Sequence, residues 1–336
     1  MKILITGAAG GIGSTLGYQL DKKGHDLILV DNLRNGYKEN LIIEGSTFGK
    51  FYNIDINSDD FHDLLIRESP EAIVHLAAIT SLPDCEINYR ECIRCNVEGT
   101  ASVLGAARRA GTEKIIFAST SAVYENTDFK EGGFSESDEI NPRLFYSLSK
   151  KMSEDICKTF IENYGMNVIT LRFFNVFGPR QDMHRKSPPL INYIIKEISK
   201  GEQPILHSDG SQSRDYVYVD DVVDLIEKCL ASKGLKSNIF NVSTQTLTSV
   251  SDILESVKKG MKSKTNINAV YRNPDMLWDS YIELFNGEFP LKKSIVEKET
   301  LKKSIGNNTL AKSILKWRPN KDIKGMIKSM VSAIKH

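Results

Sequence analysis

The sequence predicts an α/β fold, a doubly wound parallel sheet followed by a smaller C-terminal α/β part, and three observations predict it. Short, continuously apolar runs alternate with helical stretches through the first half, as in a parallel sheet covered on both faces. The stretch KILITGAAGGIGSTLGYQL places Gly7, Gly10 and Gly13 between the first strand and the first helix. Asp31 then ends the second strand, eighteen residues beyond Gly13, an order of parts that suits a dinucleotide.

The elements follow in order. Strands are expected at residues 3–6, 27–30, 51–54, 72–76, 114–118 and 168–173. Helices are expected at 12–23, from about 59 to 67 with Ser58 or Asp59 as cap, and over 85–110 as one long helix. Pro142 breaks the chain before the helix carrying Tyr146 and Lys150. After Asn175 the pattern loosens around Pro179, Pro188, Pro189 and the polar loop QDMHRKS. Helices are then expected at 190–200, 220–231, 250–261 and 310–315, with one closing at Lys335, and strands at 205–207 and 238–242. Residues 1–175, with 216–245 returning to them, form the expected first domain; 176–215 and 246–336 form the second. No internal repeat or low-complexity tract is evident.

Composition narrows the function classes. The chain has 336 residues and a net charge of +1, so no global field favours nucleic acid or a membrane surface. Lysines crowd the segment LKKSIVEKETLKKS, but its interleaved glutamates suit a solvated helical face. No apolar run reaches the length of a membrane span, and Lys2 enters a strand without a signal-peptide pattern. A cytoplasmic location is therefore expected. Cys85, Cys92, Cys95, Cys157 and Cys229 do not resemble a disulfide framework. Cys92 and Cys95 have CxxC spacing, yet no second pair follows, so reduced thiols are expected and no metal site.

The glycines let the backbone turn tightly and approach a pyrophosphate, while the helix N-terminus supplies amide donors. Gly11 and Ile12 belong to the same turn. A carboxylate at Asp31, with Asn32 beside it, can accept from an adenosine ribose and would repel a 2′-phosphate. NAD is therefore expected over NADP. Arg34 could pair with that phosphate, or be an exposed loop charge. Asp55 and Ile56 are placed to frame the adenine, and Leu76, Ala77 and Ala78 end a strand where small side chains would let the cofactor lie flat.

Tyr146 and Lys150 are four residues apart in FYSLSKK, about one helical turn, with Cβ atoms about 5–6 Å apart. A free tyrosine has a pKa of about 10 and is a poor base at neutral pH. A nearby ammonium favours the phenolate; a shift of about three units takes roughly 4 kcal/mol.

The motifs TGAAGGIG, VDNL, HLAA, NVEGT, STSAVY, YSLSK, RFFNVFGPRQ and DGSQSRDYVYVDDV resemble those of the extended short-chain dehydrogenase/reductase family, within it the nucleotide-sugar epimerases and dehydratases. The resemblance covers about residues 1–275 and returns at the C-terminus. It implies a Rossmann-like domain, a smaller substrate domain, tightly held NAD and a nucleotide-sugar substrate. Tyr146 matches the catalytic base, Lys150 the nicotinamide-ribose lysine, and Thr120 the catalytic Ser/Thr, with Ser121 promoted by a one-residue slip. Asn175 matches the asparagine that contacts the sugar diphosphate, and Arg214 and Arg272 the diphosphate arginines, whose planar forks suit phosphate. Asn96, in NVEGT, joins the implied cofactor set, and Asp275 the implied substrate set.

The resemblance implies a first step of sugar oxidation, usually at carbon 4. Dehydratases resemble Thr-Asp-Glu before Val-Tyr, and decarboxylases resemble Ser-Thr-Ser-Glu-Val-Tyr. Here Ser121 and Ala122 stand in place of those carboxylates. A 4-epimerase acting on a UDP-hexose through a transient 4-keto sugar is the leading expectation. A net dehydrogenase, a dehydratase or decarboxylase, a GDP- or CDP-sugar epimerase, and a non-catalytic NAD-binding regulator are the alternatives. Glu125 stands where glycine is usual, and RNPD where Arg-Pro-Gly-Asp is usual. The segment LWDSYIELFNGEFPLKKSIVEKETLKK has no counterpart. It could cover the nucleotide, read another base or join a subunit interface. Asp279, Tyr281 and Trp278 are candidate ligand contacts, with Trp278 and Phe285 as core packing the competing expectation. The helices over 85–110 and around Tyr146 resemble a four-helix dimer interface, so a homodimer is expected.

Overall fold

The structure, a computed structural model, describes residues 1–261 and 266–334. Fourteen strands run in chain order: β1 Lys2–Thr6, β2 Asp26–Asp31, β3 Ile42–Ile43, β4 Ser46–Thr47, β5 Lys50–Asn53, β6 Ala72–His75, β7 Lys114–Thr120, β8 Val168–Phe173, β9 Asn175–Phe177, β10 Ile205–His207, β11 Ser213–Tyr218, β12 Ile239–Val242, β13 Leu247–Ser249 and β14 Val270–Arg272. The helices are α1 Gly11–Lys22, α2 Asp59–Glu68, α3 Leu82–Ile87, α4 Tyr89–Ile93, α5 Gly99–Ala110, α6 Phe145–Tyr164, α7 Leu190–Lys200, α8 Val219–Ala231, α9 Val250–Gly260, α10 Lys293–Leu301, α11 Thr309–Ile314 and α12 Ile323–Ile334. Lys335, where the last helix was expected to close, lies outside the described residues.

Seven parallel strands form the main sheet in the order β12–β8–β7–β6–β1–β2–β5. Alternation along each strand feeds its two faces. Ile3, Ile5, Leu27, Leu29 and Val74 pack in one core with Leu16 of α1 and Val222 and Ile226 of α8. Leu4, Ile28, Val30, Ile73 and Phe117 pack in the other with Leu64 of α2, Leu104 of α5 and Cys157 of α6. Full burial of each such aliphatic side chain stabilises the fold by about 1.5–3 kcal/mol. Strand order reverses beside β1, and that is where a crevice opens outside the carboxyl ends of the strands.

A second core holds the smaller part. Ile191, Ile194, Ile195 and Ile198 of α7 recur at helical spacing and meet Ile253 and Val257 of α9 and Ile327 and Val331 of α12. The sheet β13–β11–β9 and the pair β10–β14 complete it. Residues 276–303 make a satellite core of their own: Trp278, Tyr281, Leu284 and Val296 are buried together with Leu144. Trp278 thus packs in a core, and Asp279 pairs with Lys293.

The single long helix expected over 85–110 is in fact three pieces. α3 ends at Asn88, whose side chain caps α4 by accepting from Glu91 N–H at 3.3 Å. A π-helical turn, Arg94–Glu98, then separates α4 from α5. The first break carries no proline or glycine, and Gly99 directly follows the second. The two-residue strands and β9, β11, β13 and β14 also went without a sequence expectation, being too short or too polar for a period to show, while α10 falls in the segment read as a solvated helical face.

Candidate active site

A cleft of about 500 Å³ runs along the carboxyl ends of the main strands. Gly7, Gly10, Gly11, Ile12, Gly13, Asp31, Asn32, Asp55, Ile56, Leu76, Ala77 and Ala78 line one end. Thr120, Tyr146 and Asn175 line it further along, with Gln181, Asp182 and Arg185 from the loop before α7.

The glycine turn is fixed by geometry. Gly7 has φ +69°, and a Cβ there would sit 2.7 Å from Ala77 N. A Cβ on Gly13 would sit 2.2 Å from Gly7 O. Backbone must approach backbone here, which only glycine permits. Arg180 closes over the start of α1, donating to Thr15 Oγ1 at 2.7 Å and Ser14 Oγ at 3.2 Å.

Asp31 is held by its own surroundings. Its Oδ2 accepts from Ala9 N–H at 2.9 Å and its Oδ1 from Leu33 N–H at 2.8 Å. Burial raises its pKa against the opposing pull of the two backbone donors. Arg34, whose role the sequence left open, pairs with Glu91. Glu91 also takes Arg94 at 2.9 Å, and Arg94 reaches Asp55 at 3.1 Å. Against the opposing effect of partial burial, the Asn57 N–H at 2.9 Å and then Arg94 hold Asp55 below the usual carboxylate range.

Thr120 ends β7 and Tyr146 opens α6. The Thr120 hydroxyl accepts from Ala122 N–H at 3.1 Å. Burial pushes the Tyr146 phenol up to about 12, and Thr120 and the Arg185 charge act to lower it. Lys150 is 3% exposed, and its ammonium lies 4.4 Å from the centre of the Phe117 ring. Burial brings its pKa down to about 8. Among the described residues it makes no hydrogen bond or ion pair and does not line the cleft; the Phe117 face and the Glu154 charge partly offset its burial. Ser121 belongs to a separate surface pocket with Glu125 and Lys298.

Beneath Thr120 lies a buried ion pair. Arg172 donates to both oxygens of Glu154, at 3.0 and 2.8 Å, and Glu154 also accepts from Ser119 Oγ at 2.5 Å. A bidentate pair of this kind fixes orientation. The N-terminus of α6 is clamped by two acids. Glu125 accepts from the N–H groups of Arg143 and Leu144 and from Ser147 Oγ. Glu86 accepts from Phe145 N–H at 2.6 Å. Free N–H groups at a helix start seek such partners, and both clamps adjoin Tyr146. Sequence reasoning noted Glu125 only as standing where glycine is usual and missed Glu86, because neither residue stands at a local capping position.

Other expected residues sit apart from the cleft lining. Asn96 lies behind the wall, accepting from Ile79 N–H at 2.8 Å and donating to Ile79 O at 3.0 Å and Ser149 Oγ at 2.9 Å. It fixes the cleft-lining turn to α6. Arg214 donates to the carbonyls of Glu299 at 2.7 Å and Thr300 at 3.3 Å, capping the end of α10. Arg272 is exposed on β14, and Asp275 accepts Lys293 through its backbone at 3.4 Å. The five cysteines are free.

The profile of the NAD-dependent epimerase/dehydratase family matches residues 3–243. The chain belongs to that family. It is 30% identical to a putative UDP-glucose 4-epimerase of Methanocaldococcus jannaschii, over 99% of this chain and 98% of that one. It is 32% identical to a UDP-N-acetyl-α-D-glucosaminuronate decarboxylase of Bacillus cytotoxicus, over 79% of this chain and 82% of that one. The crystal structure of the Thermotoga maritima UDP-glucose 4-epimerase with UDP-glucose superposes with a TM-score of 0.86 at 28% identity, covering 100% and 99% of the two chains.

NAD is thus the cofactor of this epimerase/dehydratase, and the residues fit it. Gly7 and Gly13 leave the backbone open for a pyrophosphate. A Cβ on Gly36 would come within 2.8 Å of Asp31 Oδ2, so its absence keeps that carboxylate reachable for ribose hydroxyls. Among the described residues no helix is long and apolar enough to cross a membrane.

Proposed function

We propose that this NAD-dependent nucleotide-sugar enzyme is a 4-epimerase acting on a UDP-hexose, with Tyr146, Thr120 and Lys150 as its catalytic residues. The observation that carries this reading is the turn after β7. Its side chains at 121 and 122 are Ser and Ala, and the nearest acid of that segment, Glu125, is consumed in clamping α6. No carboxylate of this turn is left to drive elimination or decarboxylation across a keto sugar.

NAD, when bound, accepts and returns hydride at the reacting sugar carbon. Tyr146 takes the hydroxyl proton from that carbon and later gives it back. Thr120 orients the hydroxyl between them. Lys150 holds the nicotinamide ribose, and its charge, now beside the reacting groups, favours the phenolate. Asn175 contacts the sugar diphosphate at the cleft, and the family resemblance assigns Arg214, Arg272 and Asp275 to the substrate side, outside the cleft lining. The smaller part supplies these substrate contacts, and residues 1–175 the cofactor contacts. A cytoplasmic homodimer through α5 and α6 completes the proposal, supported by Met152 and Tyr164 standing exposed on α6.

The experiment is a panel of UDP-, GDP-, CDP- and TDP-sugars without added NAD, read by NMR for epimer, keto and decarboxylated products. Epimer formation with a UDP-hexose supports the reading. Accumulation of a decarboxylated or dehydrated sugar, with no epimer, overturns it.

A further inference from the structure

The chain between β9 and α7 crosses the cofactor end of the cleft. Pro179, Gln181 and Asp182 line that cleft together with Gly10, Gly11 and Asp31. A Cβ on Gly11 would meet Arg180 O at 3.3 Å, so the backbone of this segment passes directly over the glycine turn. The segment is rooted in the smaller part of the molecule. Gln181 Nε2 donates to Val176 O at 2.8 Å, and Lys196 Nζ of α7 donates to Met183 O at 2.7 Å.

Its remaining contacts cross to the larger part. Tyr37 OH donates to Asp182 Oδ1 at 2.8 Å, and the Tyr37 ring meets His184 edge-on at 5.8 Å between centres. The Asp182 hydrogen bond raises the Tyr37 pKa, which keeps the phenol a donor. Asp182 Oδ1 also accepts from the N–H groups of His184 and Arg185, at 2.8 and 3.1 Å, so the carboxylate shapes the segment that it fastens. Asn40 Nδ2 donates to Ala9 O at 2.8 Å and to Arg180 O at 3.3 Å, bridging the glycine turn and the segment above it. The Arg180 guanidinium reaches Thr15 and Ser14 on α1. Arg180 holds φ +62°, a left-handed backbone that a non-glycine residue keeps only where its surroundings over-determine it. Here the carbonyl and the guanidinium are both fastened.

We propose that residues 179–185 form a strap, latched to Tyr37 through Asp182 and to α1 through Arg180, that NAD must open to enter or leave, so that these side chains set how long the enzyme keeps its cofactor. A dinucleotide resting its pyrophosphate on the glycine turn lies on the inner side of this strap. The proposal needs only NAD binding and holds whichever sugar is turned over. Tyr37 and Thr15 do not line the cleft, so they act on the path and not on the ligand. The latch contacts lie within the protein, and the loaded and unloaded forms share them. A contact that both forms share leaves the affinity unchanged, while its loss lowers the barrier in both directions.

The test follows the cofactor and not the turnover. Holoenzyme carrying radiolabelled NAD is chased with excess unlabelled NAD, and the label retained is read over time. Affinity is measured separately, by dialysis of the same holoenzyme against graded NAD concentrations. The proteins are the wild type, Tyr37→Phe, Thr15→Val and the double variant. Tyr37→Phe removes one hydroxyl donor to a carboxylate and should speed release by about 10-fold. Thr15→Val removes an acceptor of Arg180 without changing the shape of α1 and should speed release by about 3- to 10-fold. The two effects should multiply in the double variant, because the fasteners stand on separate elements. The dissociation constant should move by less than about threefold throughout. Either single variant behaving in this way supports the gate, so poor folding of one leaves the other to decide. Release unchanged in both variants would overturn the proposal. So would faster release matched by an equal loss of affinity, which would make Tyr37 and Thr15 supports of the bound cofactor and not of its path.

Discussion

The two ends of the cleft are built by different means. The cofactor end is made of backbone: Gly7 and Gly13 at van der Waals limits, the start of α1, and Asp31 held by two N–H groups. The sugar end is made of side chains delivered from distant segments: Ser81 before α3, Thr120 at the end of β7 and Arg185 before α7. A backbone site tolerates almost no substitution but serves one ligand well. A side-chain site can be re-specified residue by residue, which is what a family with one cofactor and many sugars requires.

Changes at the junction of the two ends should have the largest effect. Tyr146→Phe is expected to lower kcat by about 10²–10⁴-fold with the bound NAD retained, as measured by steady-state kinetics and by cofactor released on denaturation. At the cofactor end, Gly13→Val should yield protein that carries no NAD, because its Cβ would meet Gly7 O at 2.2 Å; an unchanged ratio of cofactor to protein would show that this wall can move. Both variants separate chemistry from cofactor capture, the first losing only one of them.

Lys150 tests the comparison through stability. Its pKa falls from the ordinary 10.5 to about 8 on folding, so its charge opposes folding. The opposition grows as pH falls from 10.5 towards 8 and is complete below 8. Lys150→Met should therefore gain up to about 3 kcal/mol in the cofactor-free protein at pH 7, while activity is lost. The gain should disappear near pH 10.5 in parallel denaturant titrations. A destabilised variant at pH 7 would mean that the ammonium is already compensated without a ligand.

Smaller effects belong to the supports. Glu125→Gln should cost about 1–2 kcal/mol, seen as a lower Tm, and slow turnover of every sugar alike, since it holds α6 and not a substrate. Arg34→Ala should change stability by less than about 1 kcal/mol, its partner Glu91 being shared with Arg94 on a partly exposed surface. A marked shift of cofactor preference in that variant would restore Arg34 to the ribose site.

The same contrast explains what the sequence revealed. Strands β1, β2, β6, β7 and β8 were legible because burial on both faces writes continuous apolar runs, the starts of α1, α2, α7, α8 and α9 because each follows a local break or cap, and the glycine turn because its spacing is local. Asp31, Thr120 and Tyr146, which line the cleft, each lie within a short motif and could be named for the same reason. Arg185, Ser81 and Glu86 could not. Their meaning arises from separations of tens to hundreds of residues, and each alone looks like an ordinary loop or surface side chain. Arg214 was legible as a motif arginine, but its partners, the last carbonyls of α10, belong to the segment without a counterpart.

The π-helical turn at Arg94–Glu98 has a mechanical consequence. One extra residue in a helix rotates everything before it by about 100° relative to everything after it. α5 can thus keep Val103 and Leu104 in the sheet core while α4 turns Glu91 towards Arg34 and the adenosine end. The turn works as an indexing gear between the packing of the sheet and the rim of the cleft. Removing a single residue from it, Cys95 for instance, would leave the helix hydrogen-bonded and the core intact, yet swing the rim away from the cofactor.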